Sequence, residues 1–541
     1  DRPPVRRTKL RSKKLTKRLK PMDNGIAPNA KRLLWAGFMA ILAAGVGFSV
    51  RAGILGQWAE QFGFTMTDLG TITGGGLTGF GIVIIITSLF ADKIGYGKLM
   101  VSAFILHLIS AVLTLATPAF FASGGKDAAY WCLFTAMFIF AIGNGVCEAV
   151  VNPLVATLFP KEKTHYLNIL HAGWPAGLVL GGLASTFMAV NTDALGKVIS
   201  PAVDWKIQMS LFLIPVVIYG CMLLGQKFPK SEAASAGITI GQMIGTVFAP
   251  LMIVLLFLHA LVGYVELGTD SWISKITGSI MASPQKGLML FVYTSMLMFV
   301  LRFVAGPIVH RISPLGLLFV SGILGALGLT LLGSATTVAM CIIAATVYAC
   351  GKTFLWPTML AVASERFPKG GAVAIGMMGG VGMLSAGLLG GPAIGYKQDY
   401  YASKNLQQTS PDTYNRYAVS QPNGFLFLPK IKGLDGAKVG VLTDQGTELG
   451  KVSAALKKEN KTDANHAALE SWWESSKASS QADTGPVNTA TLEGGRKALK
   501  ITAIVPAVMA GIYLLLMIYF KSIGGYKAVH LDDKKGGSTA H

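Results

Sequence analysis

Twelve apolar runs decide what this chain can become. Their approximate cores lie at 33–56, 69–91, 99–121, 131–157, 167–190, 207–226, 243–268, 287–309, 315–333, 337–362, 372–396 and 499–520. Most reach the ~20 residues that a helix needs to cross the hydrocarbon of a bilayer. Only 14% of the residues are charged, against about 25% in soluble domains. The expected fold class is therefore an all-α polytopic membrane protein with twelve transmembrane helices.

The formal net charge is +20, but twelve of the 47 Lys and Arg residues lie in the first 32 positions. With no basic motif interleaved with aromatics, the excess speaks for a membrane surface and against nucleic acid. Residues 1–32 read as a basic cytoplasmic tail that sets orientation and meets anionic headgroups. The following run, Leu33–Val50, is too long for a signal peptide and lacks a small-residue cleavage site before Arg51, so it reads as a retained first span. Counting Lys and Arg in the short loops and tails puts 25 on the side of that tail and five on the other. By the positive-inside rule both termini are cytoplasmic, in an inner or plasma membrane. The five cysteines fall within apolar runs at no metal or disulfide spacing and read as small packing residues.

The chain repeats itself. Phe159-Pro160-Lys161 ends the fourth run, and Phe367-Pro368-Lys369 ends the tenth, 208 positions later. The charged turn at Ala91–Gly95 after the second run has a counterpart at Val309–Pro314 after the eighth. These correspondences predict two pseudo-symmetric six-helix halves, 33–226 and 243–520, joined by a cytoplasmic linker at 227–242 and followed by a tail at 521–541. Repeated halves that meet around a site are a transporter architecture. One segment breaks the pattern. Residues 397–495 are polar and lie on the outer side, as either a small folded cap or a mobile insertion.

Charge inside a membrane run marks function by default, because it is costly there. Glu148 is the foremost candidate, as a proton carrier or a partner for substrate hydroxyls. The competing reading makes it a structural partner of a buried cation such as Arg51 or Lys352. His171, 23 positions later across a turn, would reach a similar depth; packing alone would also account for it. Trp174 offers an apolar face to a ring, and Asn144, Asn152 and Asn168 offer amides to substrate or to neighbouring helices. Arg51 and Lys352 together would suit an anion. Glu266, Asp270 and Trp272 fall where the seventh run nears the outside, as a gate contact or an exposed helix end. Arg302, near the inner end of its run, reads as structural. No phosphate-binding loop, zinc motif or nucleophile elbow is present, so neither ATP nor enzymatic chemistry is expected.

Ser88-Leu89-Phe90-Ala91-Asp92-Lys93-Ile94-Gly95 resembles the signature loop of the major facilitator superfamily at Asp92, Lys93 and Gly95. Within that superfamily, Gly143-Asn144-Gly145, Glu148, Asn152-Pro153, Leu167-Asn168 with His171, Gly263-Tyr264-Val265-Glu266, Trp272 and Trp356-Pro357-Thr358 resemble the fucose–proton symporter and its sugar-transporting relatives. The resemblance implies that fold and rocking-type alternating access. It assigns proton coupling to Glu148 and sugar contacts to His171 and Trp174. The acid that the fucose symporter carries in its first helix is missing here, where the sequence reads Phe48–Ile54. The expectation is a secondary transporter that moves a small polar solute, a monosaccharide, with a proton; sodium is the alternative ion. Glu148, Asn144, Asn152, His171 and Trp174 would serve from the first half, and Glu266, Lys352 and Trp356 from the second. No organic cofactor or metal is expected, and the partners are the solute and the bilayer around a monomer. An acidic-sugar or organic-anion carrier using Arg51 and Lys352, and a non-transporting nutrient receptor capped by 397–495, are the alternatives.

Overall fold

The computed structural model describes residues 27–529 and 531, apart from 65, 75, 190, 193–197, 201 and 459–463. The expectations for the first 26 residues, for Lys197 and for residues 532–541 lie outside these.

The chain is helical through twelve spans. The first is Ala30–Phe62, and the second comprises Met66–Gly74 and Gly76–Ile94. The third and fourth share one helical stretch, Tyr96–Leu158, broken at Gly125 with φ 68° and ψ −157°. That conformation is cheap only for glycine, and it reverses the chain, so 63 residues make two antiparallel spans. An ion pair of 2.9 Å from Lys126 to Asp68 holds the turn. The fifth and sixth spans are Lys163–Met188 and Trp205–Leu223. Between them Asn191–Thr192 and Val198–Ser200 pair as a short antiparallel ribbon. An amphipathic helix, Ile240–Val247, opened by a capping box of Thr239 and Gln242, precedes the second half. The seventh span is Pro250–Ile280. The eighth runs through Pro284–Arg302, bends at Phe303–Val304 and continues from Ala305 to the break at Ser313. The ninth follows to Leu332, the tenth is Val338–Arg366 and the eleventh Pro368–Thr409. The twelfth combines Ser480–Thr502 and Ile504–Ser522.

Two of these boundaries correct the sequence reading. The seventh run was expected to end at 268, yet its helix continues to Ile280, because Thr269 and Asp270 turn their polar groups inward. Glu266 is thereby moved from the outer end to mid-span. The eighth span reaches one turn further than the expected 309, which moves Arg302 away from the membrane edge.

The internal repeat is visible in the backbone. Phe159 ends the fourth span with φ −128° and ψ 64°, and Phe367 ends the tenth with φ −125° and ψ 57°. Gly95 (φ 94°) turns the chain between the second and third spans, and Ser313 (φ 65°) does so between the eighth and ninth. Small residues let the helices approach closely. A Cβ on Gly263 would lie 1.9 Å from the Gly382 carbonyl oxygen, so the seventh and eleventh spans touch backbone to backbone. Between the halves, span two packs on span eleven and span five on span eight.

The face that carries the first and last described residues, here the terminal face, is closed by bonds between the halves. Lys163 Nζ donates to Glu232 at 3.3 Å and to the Ser364 carbonyl at 3.4 Å, and Thr164 Oγ1 donates to Glu365 at 2.9 Å. Tyr526, beyond the last span, donates to the other Glu365 oxygen at 2.6 Å. Burial and the neighbouring carboxylate push the Tyr526 hydroxyl well above its usual pKa, keeping it a donor. The Asp92 carboxylate accepts from Ser231 in the linker at 2.9 Å, while Lys93 is exposed.

On the opposite face the eleventh and twelfth helices leave the membrane side by side and support a cap of four short helices, Pro411–Tyr417, Gly436–Thr443, Thr447–Lys458 and Ala464–Ser476. Leu406, Tyr417, Leu442, Val487 and Ala490 form its core. Arg416 clasps the buried Asp483 through two hydrogen bonds of 2.8 and 2.5 Å. The described residues of the segment 397–495 are therefore folded.

Candidate functional site

A cavity lies between the halves. Ala40, Ile41 and Ala44 of span one, Phe80 of span two, Asn144, Cys147 and Glu148 of span four, and His171 and Trp174 of span five line it from the first half. Glu266 and Leu267 of span seven, Arg302 of span eight, Trp356 of span ten and Met383 of span eleven line it from the second. Its lining resembles that of small-molecule sites, which pair apolar walls with a few converging polar groups.

Glu148 and His171 are held by a residue just behind the wall. Asn152, one turn after Glu148, donates from Nδ2 to Glu148 Oε1 at 3.0 Å. Its Oδ1 lies 2.8 Å from His171 Nε2. An amide oxygen can only accept, so His171 carries a proton on Nε2. The Glu148 oxygen and His171 Nε2 are 3.6 Å apart. The three side chains form one buried network, with Asn152 as its spacer.

Across the cavity Arg302 is the organising cation, which the sequence reading took as structural. Its guanidinium donates in three directions: to Glu266 Oε1 at 3.0 Å, to the His171 carbonyl at 2.5 Å and to the Thr353 carbonyl at 2.9 Å. It thus ties spans seven and ten of its own half to span five of the other. Glu266 sits in a single π-helical turn, Tyr264–Gly268, which faces a second one at Ala386–Gly390. Such turns recur at functional sites. Among the described residues, Glu266 Oε2 is buried without a hydrogen-bond partner.

Asn144 is oriented from outside the cavity. His107, fully buried, places Nε2 3.0 Å from Asn144 Oδ1 and Nδ1 2.8 Å from the Tyr219 hydroxyl. By the same donor logic His107 donates to Asn144 and accepts from Tyr219. With its oxygen so used, Asn144 keeps an unpartnered Nδ2. Among the described residues, Asn144 Nδ2 and Glu266 Oε2 are thus a buried donor and a buried acceptor without partners, one from each half. His259, also buried, packs its ring 4.5 Å from that of Trp356. Neither His107 nor His259 was singled out from sequence; each sits in an apolar run with no motif around it.

Arg51 and Lys352 are not brought together. Arg51 stays within the first half, donating to Ser110 at 2.9 Å with its guanidinium 4.0 Å from the Phe140 ring centre. Lys352 pairs with Asp270 in the second half. Neither lines the cavity, and neither makes an ion pair with Glu148 or Glu266. Asn168 joins the halves below it, bonding Thr358 at 3.3 Å. Trp272 bonds the Gly391 carbonyl at 2.8 Å and packs against span eleven.

A profile of the Major Facilitator Superfamily matches residues 37–391, which include the cavity and both copies of the Phe-Pro-Lys turn. The chain belongs to the major facilitator superfamily. Its members are membrane transporters rather than enzymes, and the two six-helix halves around a central cavity are this superfamily's architecture. No curated protein sequence matches the chain. Among solved structures, the fucose:proton symporter of E. coli has 17% identity over 68% of this chain and 92% of its own, with a TM-score of 0.54. A bacterial homologue of the human lysosomal transporter Spinster has 13% identity over 90% of this chain and 97% of its own, with a TM-score of 0.57. A human organic anion transporter has 14% identity over 68% and 93%, with a TM-score of 0.52. At these identities the likeness is one of fold.

Proposed function

We propose that this superfamily member is a proton-coupled symporter of a small neutral polar solute, a monosaccharide, and that the terminal face is cytoplasmic. One observation carries the coupling. Two carboxylates, Glu148 and Glu266, share one cavity with one guanidinium. Arg302 bonds Glu266 directly, whereas Glu148 meets the Asn152 amide, the His171 ring and the Trp356 side chain and feels the Arg302 charge only at longer range. A buried carboxylate without a directly paired cation is costly, and a bound proton removes that cost. Protonation of Glu148 would leave the cavity electrically neutral, and release would leave one negative charge. Such a difference lets a proton bias which face the halves open to.

The solute class rests on the remaining walls. Trp174 and Trp356 supply one indole from each half, suited to the C–H face of a sugar ring. Asn144 Nδ2 and Glu266 Oε2 supply a free donor and a free acceptor for hydroxyls. The fucose and xylose symporters among the neighbours are named for such solutes. The anion-carrier reading loses support, because Arg51 and Lys352 are elsewhere and Arg302 is already neutralised by Glu266.

The test is uptake of labelled monosaccharides and sugar acids into proteoliposomes under imposed proton or sodium gradients. Accumulation of a neutral sugar driven by protons is expected. Glu148→Gln should abolish accumulation while preserving exchange of labelled for unlabelled sugar. Normal gradient-driven accumulation by Glu148→Gln would remove Glu148 from the coupling role. Sodium-driven uptake would replace the ion, and binding without flux would make the protein a receptor.

A further inference from the structure

The cap contains a hairpin whose tip is apolar and bare. Residues 418–434 fold back on themselves through bridges Ala418↔Leu434 and Asn423↔Ile431. The tip reads Gly424-Phe425-Leu426-Phe427-Leu428-Pro429 and is closed by a bond of 2.9 Å from Leu428 N to the Phe425 carbonyl. Leu426 is 68% exposed and Phe427 91%. Leu426 also adopts φ +51°, an uncommon value for a bulky residue. Two large side chains offered to water on a strained turn call for a partner.

The contacts of the returning arm say where the tip points. Gly433 packs its backbone against Asp399 of span eleven. Four residues nearer the tip, the Pro429 carbonyl accepts from the Tyr396 hydroxyl at 2.7 Å. Tyr396 lies three residues before Asp399, about 4.5 Å nearer the bilayer centre along the helix. The hairpin therefore descends along span eleven toward the membrane, with its tip beyond Pro429. The level it reaches carries Tyr396, Tyr400 and Tyr401, and aromatic residues gather at the headgroup interface. Two turns deeper, Leu388 and Leu389 are exposed to lipid. The arms 418–434 contain Lys430 and Lys432, both exposed, and no acidic residue.

We propose that Phe425–Leu428 is a membrane anchor, inserted into the leaflet on the cap side of the same bilayer that the spans cross. The occupant of this surface is lipid. The returning arm follows span eleven toward the bilayer, and its lysines suit phosphate headgroups while the rings enter the acyl boundary. Interfacial elements of this kind bury apolar groups about 5–10 Å below the headgroups. The cap is thereby held to the bilayer at a second place, apart from its stalk.

The full native chain tests this when reconstituted with phospholipid bearing a diazirine in the acyl chain. After photolysis and peptide mapping, adducts are expected on Phe425–Leu428 at a yield comparable to Leu388–Leu389. Adducts confined to the spans overturn the proposal. A second measurement places a nitroxide at Phe427→Cys, with Lys451→Cys as a solvent reference and the native cysteines replaced by alanine. The label at 427 should collide more with oxygen and less with a water-soluble nickel chelate than the reference does. Equal collision at the two sites means a solvated tip. A label shielded from both reagents means a protein partner or a second copy, and either result refutes the lipid anchor.

Discussion

Arg51 and Arg302 are equally buried, each with 1% of its surface exposed, yet they should respond to the same substitution very unequally. Replacing Arg302 with methionine leaves Glu266 buried opposite nothing and abandons the two carbonyls that the guanidinium joins. Breaking one side of such a pair costs about 3–5 kcal/mol. Arg51→Met leaves no orphaned carboxylate, because Arg51 bonds a hydroxyl and a carbonyl and lies over the Phe140 ring. The variant loses a charge-assisted hydrogen bond of about 1.5–3 kcal/mol and a cation–π contact of about 0.5–2 kcal/mol. It regains the several kcal/mol spent on desolvating the cation, so the net change lies near zero. A gap of about 3 kcal/mol between the two variants is the expectation. Unfolding free energies by steric trapping in bilayers would measure it. Adding Glu266→Gln to Arg302→Met should return about half of the loss or more, because the unpaired charge is then gone. If Arg302→Met proves no worse than Arg51→Met, or if the double variant recovers nothing, the charge accounting of the cavity is wrong.

Two further outcomes follow from the packing. His107→Phe keeps the ring volume but frees Asn144 to rotate. It should weaken solute affinity about tenfold, equivalent to ~1.4 kcal/mol, with maximal rate little changed; a purely structural role would lower expression without this selective rise in KM. Gly263→Ala forces a Cβ against the Gly382 carbonyl and should cost about 1–3 kcal/mol, whereas Gly241→Ala, with nothing within 4 Å, should change thermal stability hardly at all.

The spans were legible because the bilayer imposes a length and a polarity on each, and the Phe-Pro-Lys turn exposed the repeat. Asn144, Glu148, His171, Trp174, Glu266 and Trp356 converge on the cavity because polar or aromatic groups amid apolar helices must face inward. What sequence could not give was pairing. Which cation neutralises which acid depends on rotation and bends of helices from different halves. The depth of Arg302 was hidden because its run seemed to stop at 309, and the bend at Phe303–Val304 left no mark in hydropathy. Lys352, open as a partner of Glu148 or as half of an anion site, meets Asp270 instead, which a further turn of helix brings to the lysine. His107 acts through Asn144 from outside the cavity, a relation with no local signature.

The stalk beneath the cap has a mechanical consequence. Gly391–Thr409 is one helix of 19 residues, about 28 Å long, and it packs along Ser480–Thr502 as a paired rod. A rod anchored in one half works as a pointer. Each degree by which that half tilts sweeps the far end through about 0.5 Å, a simple product of angle and helix length. Rotations too small to resolve at the cavity are thus magnified in the aqueous phase, where a pair of fluorophores on the cap and on the loops of the first half would register them as a change in distance.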